Sequence, residues 1–164
     1  MIRATKRAAE GSSGIEVLVG AEITHVVPEK IPKLVRKAKA LGAQIIIVHG
    51  ETIAEPVAPG TNKAAADISD VNIIAHPGLV SQEDVELANQ NGIYLELTAR
   101  CGHNATNGHV AKIAPNILVN TDCHGTELIT NVEAEQIARG AGLNEDQELR
   151  SIRRNATSLL NEIL

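Results

Sequence analysis

Aromatic side chains are nearly missing: one Tyr, no Phe and no Trp in 164 residues. Base-stacking nucleic-acid modules need aromatic platforms, so nucleic acid is not an expected partner. The core must be built from Ile, Leu, Val and Ala, which suits a layered α/β protein. Cysteine is scarce as well. Cys101 and Cys123 make neither a CxxC pair nor a disulfide framework, which points to a reducing, cytoplasmic compartment. Cations are outnumbered, with 15 Lys and Arg against 20 Asp and Glu and a net charge of −5. The one basic stretch, Lys30–Lys39, reads as the solvated face of a helix rather than a phosphate-backbone site. No apolar run is long enough to cross a bilayer, and Met1–Glu10 is a charged helical pattern rather than a signal peptide. The length suits a single domain over residues 1–164, without a linker.

What is present is a repeated grammar. Ile45-Ile46-Ile47-Val48 runs without a break and stops at His49-Gly50-Glu51. A continuous β-branched run reads as a strand buried on both faces, as in a parallel sheet. The polar residues after it then sit at the strand's C-terminal end, where α/β folds carry their chemistry. Val17-Leu18-Val19-Gly20-Ala21-Glu22 repeats the pattern, as do Val71–Gly78 with His76, Ile93–Glu96, and Ile117–His124 with Asp122 and His124. Five strands in series each deliver a residue of metal-ligand type, which implies one polar site at one rim.

Taken in order, Met1–Glu10 reads as the end of a helix and Gly11–Gly14 as a turn. A strand at about 15–20 delivers Glu22 and His25. A helix from Pro28 to Leu41 is capped by Gly42. After the strand ending at His49, Thr52–Asn62 is a Pro- and Gly-rich loop long enough to be functional. Helices are expected at 62–68, at 82–90 with Ser81 as N-cap, at 109–114, at 127–139 and at 146–163. The order β-α-β-α-β-α-β-α-β-α predicts a parallel sheet with right-handed crossovers. A closed barrel of eight units needs about 250 residues. The sheet is therefore open, or it is a partial (β/α) barrel lacking its first units.

The candidate ligands are Glu22, His49, His76, Asp122 and His124, with His25, Glu51, Glu96 and His103 behind them. Imidazole and carboxylate together suit Zn, Mn or Fe as divalent metal ions. Two such ions about 3.5–4 Å apart activate a water and clamp both oxygens of a phosphoester displacement. Each residue also has an ordinary structural explanation. His49 could be satisfied by backbone bonds, Glu22 could be a cap or an ion-pair partner, and Asp122-x-His124 recurs by chance. His25 and His109 are read as non-ligands, and Cys123 as a small packing residue.

Val19–Glu22, Val48–Glu51, Ala75–Gly78 and Asn120–His124 together resemble successive motifs of the PHP (polymerase and histidinol phosphatase) superfamily. Residues 15 to about 142 are most similar to an archaeal histidinol-phosphatase-like branch, through Glu22-Ile23-Thr24-His25, the loop 55–62 and Thr106-Asn107-Gly108-His109. The resemblance implies a distorted (β/α)7 barrel with two or three metals at its C-terminal rim. It implies Glu22 as a bridging carboxylate, His49 and His76 beside it on one metal, Asp122 on the neighbouring metal and His124 on a further one. It implies a phosphatase, hydrolysing a small phosphorylated substrate such as histidinol phosphate by a metal-activated water, with Glu22 and Asp122 in the catalytic set. Arg100 or His103, on a rim loop, is our candidate for holding the phosphate.

The sequence also departs from that family. PHP proteins open with a strand carrying His-x-His and later have a strand ending in Asp-His, and here no histidine precedes His25. By the family pattern, about the first two βα units are absent. Three expectations follow: an active enzyme, either a truncated part of a longer one or a chain completed by a second subunit; a metal-binding but catalytically impaired module; or a scaffold without metal. Under all three the unprotected first edge predicts a homo-oligomer.

Overall fold

The structure is a computed structural model and describes residue 2, residues 17–124 and residues 130–164. The expected helix and turn over 1–14 lie outside the described residues, apart from Ile2, as does the start of the helix expected from Glu127.

Five strands form one parallel sheet in strictly sequential order: β1 (Gly20–Ile23), β2 (Ile45–Glu51), β3 (Ile73–Gly78), β4 (Tyr94–Thr98) and β5 (Ile117–Asn120). Among the described residues β5 does not pair back to β1, so the sheet is open. Sequential order has no switch point, and right-handed crossovers then lay every connecting helix on one face. Those helices are α1 (Ile31–Ala40), α2 (Thr61–Ala66), α3 (Gln82–Gln90) and α4 (Asn107–Ile113), and α5 (Asn131–Gly140) follows the last strand. Ile31, Val35, Ala65, Val85, Ala88, Val110 and Ala138 pack with Ile46, Val48, Ile74, Leu95 and Leu97 into one aliphatic core. It contains no aromatic ring, as the composition required.

The opposite face is the one a barrel would enclose. Its alternate residues Ile45, Ile47, Ile73, Tyr94 and Leu118 gather under a C-terminal helix that supplies Ala156, Leu159 and Ile163. The sequence suggests one helix over 146–163. The structure divides it into α6 (Glu145–Leu149), a π-helical turn (Arg150–Arg154) and α7 (Asn155–Ile163). Asn155 Nδ2 donates to the Ile117 carbonyl at 2.8 Å, pinning α7 at the start of β5. α7 therefore covers the beginnings of the strands and leaves their C-terminal halves open. A cavity of about 500 Å³ remains there, lined by Ile47, Ala75 and Val119 and by Glu22, Glu96 and Asp122.

The first strand lies later than the sequence suggests. Residues 17–19 carry no strand, because Gln44 engages Val19 with its side-chain oxygen (3.0 Å) as well as its backbone N–H (2.7 Å). Glu22, His49 and His76 accordingly sit within strands rather than beyond their ends, with Glu22 in register with Ile47 and His49 with Ala75. The Ser81 cap forms as expected, accepting from the Asp84 N–H at 3.1 Å. No helix among the described residues is long and apolar enough to cross a membrane.

Candidate metal centre

The ends of β2 and β3 are drawn unusually close. A side chain at Gly50 would lie 2.6 Å from Pro77 Cα and 2.7 Å from the Ala75 carbonyl oxygen, so only glycine fits. The ladder shifts register between His49 and Glu51, which marks a bulge. Asn62 ties the two ends together: its Oδ1 accepts the Glu51 N–H at 3.1 Å and its Nδ2 donates to the Pro77 carbonyl at 2.7 Å. Glu51 Oε1 in turn accepts the Asn62 N–H at 2.9 Å, so this carboxylate is used at the N-terminus of α2 rather than in the site.

The result brings three imidazoles together. The His76 ring centroid lies 4.4 Å from that of His49 and 4.5 Å from that of His103. Ligand atoms of Glu22, His49 and His76 lie within 4.8 Å of one another, and the same holds for His76, His103 and Asp122 and for His49, Glu55 and His103. His49, His76 and His103 are all buried.

Each histidine has one nitrogen engaged and one left over. His49 Nδ1 donates to the Gly50 carbonyl at 2.9 Å, and His76 Nδ1 meets Glu96 Oε2 at 2.8 Å. His103 Nε2 faces Glu55 Oε2 at 3.5 Å. The opposite nitrogens, His49 Nε2, His76 Nε2 and His103 Nδ1, are buried with no hydrogen-bond partner among the described residues. His103 Nδ1 is 3.3 Å from Asp122 Oδ2, outside hydrogen-bond geometry. A buried polar atom without a partner costs about 1–3 kcal/mol. Nitrogens left over in this way fit bound cations: His49 and His76 share a group with Glu22, and His103 shares one with His76 and Asp122. This donor set suits Zn, Mn or Fe.

Burial raises the pKa of Glu22, and the nearby Asp122 raises it further. Burial lowers His49 and His103, and His76 adds to both shifts. Burial works against charge on His76 too, but the Glu96 hydrogen bond and charge, with Asp122 and Glu22, outweigh it and the pKa is raised. The backbone is strained at the same place. Among the described residues the non-glycine positions with positive φ are His25 (53°), His76 (32°) and Asp122 (49°), all at this rim.

The other sequence candidates fall around the cluster. His124 is exposed, and its Nδ1 lies 2.8 Å from Arg100 Nη1 and 2.9 Å from the Asp122 carbonyl oxygen, outside the three ligand groups. Arg100 joins the β4–α4 loop to Asp122, with its Nη1 on the carbonyl at 3.1 Å and its Nε 3.5 Å from Oδ2. His25 is exposed and 3.6 Å from Glu55, and His109 Nε2 bonds the Val80 carbonyl at 2.8 Å. Cys123 is exposed, so the small packing residue expected there is not found: the chain leaves β5 at Asn120, before the thiol can reach the core. Glu55 is the residue the sequence reading missed. The loop 52–62 was expected over the site, and Glu55 is its one acidic residue.

No protein-family model matches the chain. An uncharacterized protein of Methanocaldococcus jannaschii is 48% identical over 138 residues, which are 81% of this chain and 63% of that protein. The chain thus spans under two thirds of that relative's length. Among solved structures, an uncharacterized protein is similar with a TM-score of 0.52 and 16% identity, covering 90% of this chain and 49% of its own. An amidohydrolase gives a TM-score of 0.50 at 16% identity, covering 84% of this chain and 47% of its own. This likeness is one of fold, and an open five-stranded sheet matching about half of each longer chain is consistent with part of a (β/α) barrel.

Proposed function

We propose that this chain is a metal-dependent hydrolase of PHP type, a phosphatase acting on a small phosphomonoester such as histidinol phosphate. The observation that carries this reading is that His49 and His76, each with a buried Nε2 lacking a hydrogen-bond partner among the described residues, gather with the Glu22 carboxylate. Glu22, His49 and His76 would hold one divalent ion, and Asp122 lies beside them for a neighbouring one. When bound, such an ion supplies Lewis acidity, polarising a phosphoryl oxygen and making a water nucleophilic near neutral pH. The protein's own part is preorganisation. The Gly50 carbonyl and Glu96 fix the His49 and His76 tautomers and aim their Nε2 lone pairs. Burial lowers the pKa of His49 and His103, which favours the neutral imidazole that a metal ligand must be. Arg100, one-third exposed and anchored to Asp122, keeps guanidinium N–H groups for a phosphate oxygen. The apolar part of the cavity, around Ile47, Ala75 and Val119, would take the remainder of the substrate.

The test is hydrolysis of p-nitrophenyl phosphate and histidinol phosphate by protein loaded with Mn²⁺ or Zn²⁺. Turnover that falls at least 100-fold in Glu22→Gln is expected. No turnover with any divalent ion in folded, loaded protein would overturn the phosphatase reading.

A second reading is a metal-binding module that is catalytically impaired. It is favoured by His124, a sequence-predicted ligand that lies outside the three ligand groups. Under it, Glu22→Gln weakens metal binding and changes no rate. Under either reading β1, an edge strand among the described residues, predicts association of copies, and a monomer by light scattering at high concentration would refute that.

A further inference from the structure

We propose that His103 is a metal ligand, and that with Asp122 it forms a second cation position beside the one at Glu22, His49 and His76. This rests on the metal-centre reading above and extends it to a residue of the β4–α4 loop. His103 Nδ1 is one of the three buried nitrogens without a hydrogen-bond partner. The other two belong to His49 and His76. Each of those presents one lone pair, and together with Glu22 they fill the first position. His103 and Asp122 are then left facing each other.

Their separation suits a shared ion. Zinc-type bonds of about 2.0–2.2 Å set two ligands of one tetrahedral ion roughly 3.3–3.5 Å apart. His103 Nδ1 and Asp122 Oδ2 are 3.3 Å apart, without hydrogen-bond alignment. The far side of the ring is arranged as in the other two histidines. Glu55 Oε2 stands 3.5 Å from Nε2, favours the proton there and leaves the Nδ1 lone pair facing inward. Arg100 Nη1 holds the Asp122 carbonyl at 3.1 Å while its Nε stands 3.5 Å from the same Oδ2, and Asp122 adopts a positive φ of 49°, so the carboxylate is positioned by backbone as well as by side chain. With two protein ligands against three, the second position binds more weakly than the first, and a substrate oxygen completes it.

The experiment is equilibrium dialysis of the whole chain against Mn²⁺ and, separately, Co²⁺, with metal per chain read by mass spectrometry and the Co²⁺ absorption spectrum recorded. Wild type is expected to take up two equivalents, the second at least 10-fold weaker. His103→Asn and Asp122→Asn should each retain the first and lose the second, with a cobalt spectrum lacking the second component. Matching far-UV spectra in chelator establish that the variants fold, and either variant alone suffices. Two equivalents retained in both folded variants would overturn the inference. A wild type that binds one equivalent, unaffected by either substitution, would overturn it while leaving the metal-centre reading intact. A wild type that binds none overturns both.

Discussion

Glu96 Oε2 accepts from His76 twice, from the ring Nδ1 at 2.8 Å and from the backbone N–H at 2.9 Å. Both residues are buried, and the double contact holds a histidine whose φ of 32° is itself unfavourable. Removing one partner from a buried charged pair costs about 3–5 kcal/mol. Glu96→Ala should therefore lower unfolding free energy by roughly that amount in urea titrations. Glu96→Gln keeps an acceptor but loses the charge, and should weaken metal affinity by about 10–100-fold.

Asn62 joins the ends of β2 and β3 through two side-chain hydrogen bonds, and it is buried. Asn62→Ala leaves the Glu51 N–H and the Pro77 carbonyl without partners. At about 1–3 kcal/mol for each stranded group, a loss of roughly 2–6 kcal/mol is expected. Metal affinity should fall with it, because the spacing of His49 and His76 depends on this tie.

Gly78 follows the His76-Pro77 pair with a φ of 67°, and a Cβ there would overlap the Glu51 carbonyl oxygen. Gly78→Ala meets both the conformational and the steric penalty, and a loss of at least about 3 kcal/mol is expected. Gly92→Ala is the control. It also has a positive φ, 70°, but open space around it, so only the conformational cost of about 1 kcal/mol should appear. Equal losses for the two would contradict the close approach of β2 and β3.

The acid limb of stability should report Glu148. Arg139 Nε donates to Glu148 Oε2 at 2.7 Å and Nη2 to Oε1 at 3.2 Å, tying α5 to α6. The Arg139 hydrogen bonds lower the Glu148 pKa. A carboxylate depressed in the folded state contributes stability that is present above its unfolded pKa, about 4.3, and is lost as pH falls through the folded value. Glu148→Gln should therefore be less stable than wild type above about pH 4.3, with the difference shrinking as pH falls below it. Chemical denaturation between pH 3 and pH 6 measures it.

The second to fifth strands were legible because Ile45–Val48 and its counterparts are short apolar runs rich in Ile and Val, and the rim was legible because polar residues end them. Period-2 logic alone, however, does not tell whether His49 closes a strand or lies in it. Its ladder partner Ala75, on another strand, decides that. The pairing of Glu96 with His76, and the reach of Glu55 and His103 into the cluster, depend on loop paths and long-range register that no local pattern carries. The break of the last helix at Arg150–Arg154, and its turn onto the face a barrel would enclose, likewise follow from the packing of Leu159 against Ile73 and Tyr94. A helical periodicity over 146–163 specifies an apolar stripe but not the surface it will cover.

The most direct measurement is anomalous diffraction at the metal edge from crystals grown with Mn²⁺ or Zn²⁺. The account predicts a peak about 2.0–2.3 Å from His49 Nε2, His76 Nε2 and a Glu22 carboxylate oxygen. No peak within this cluster, with the three imidazole nitrogens instead bonded to water, would contradict it.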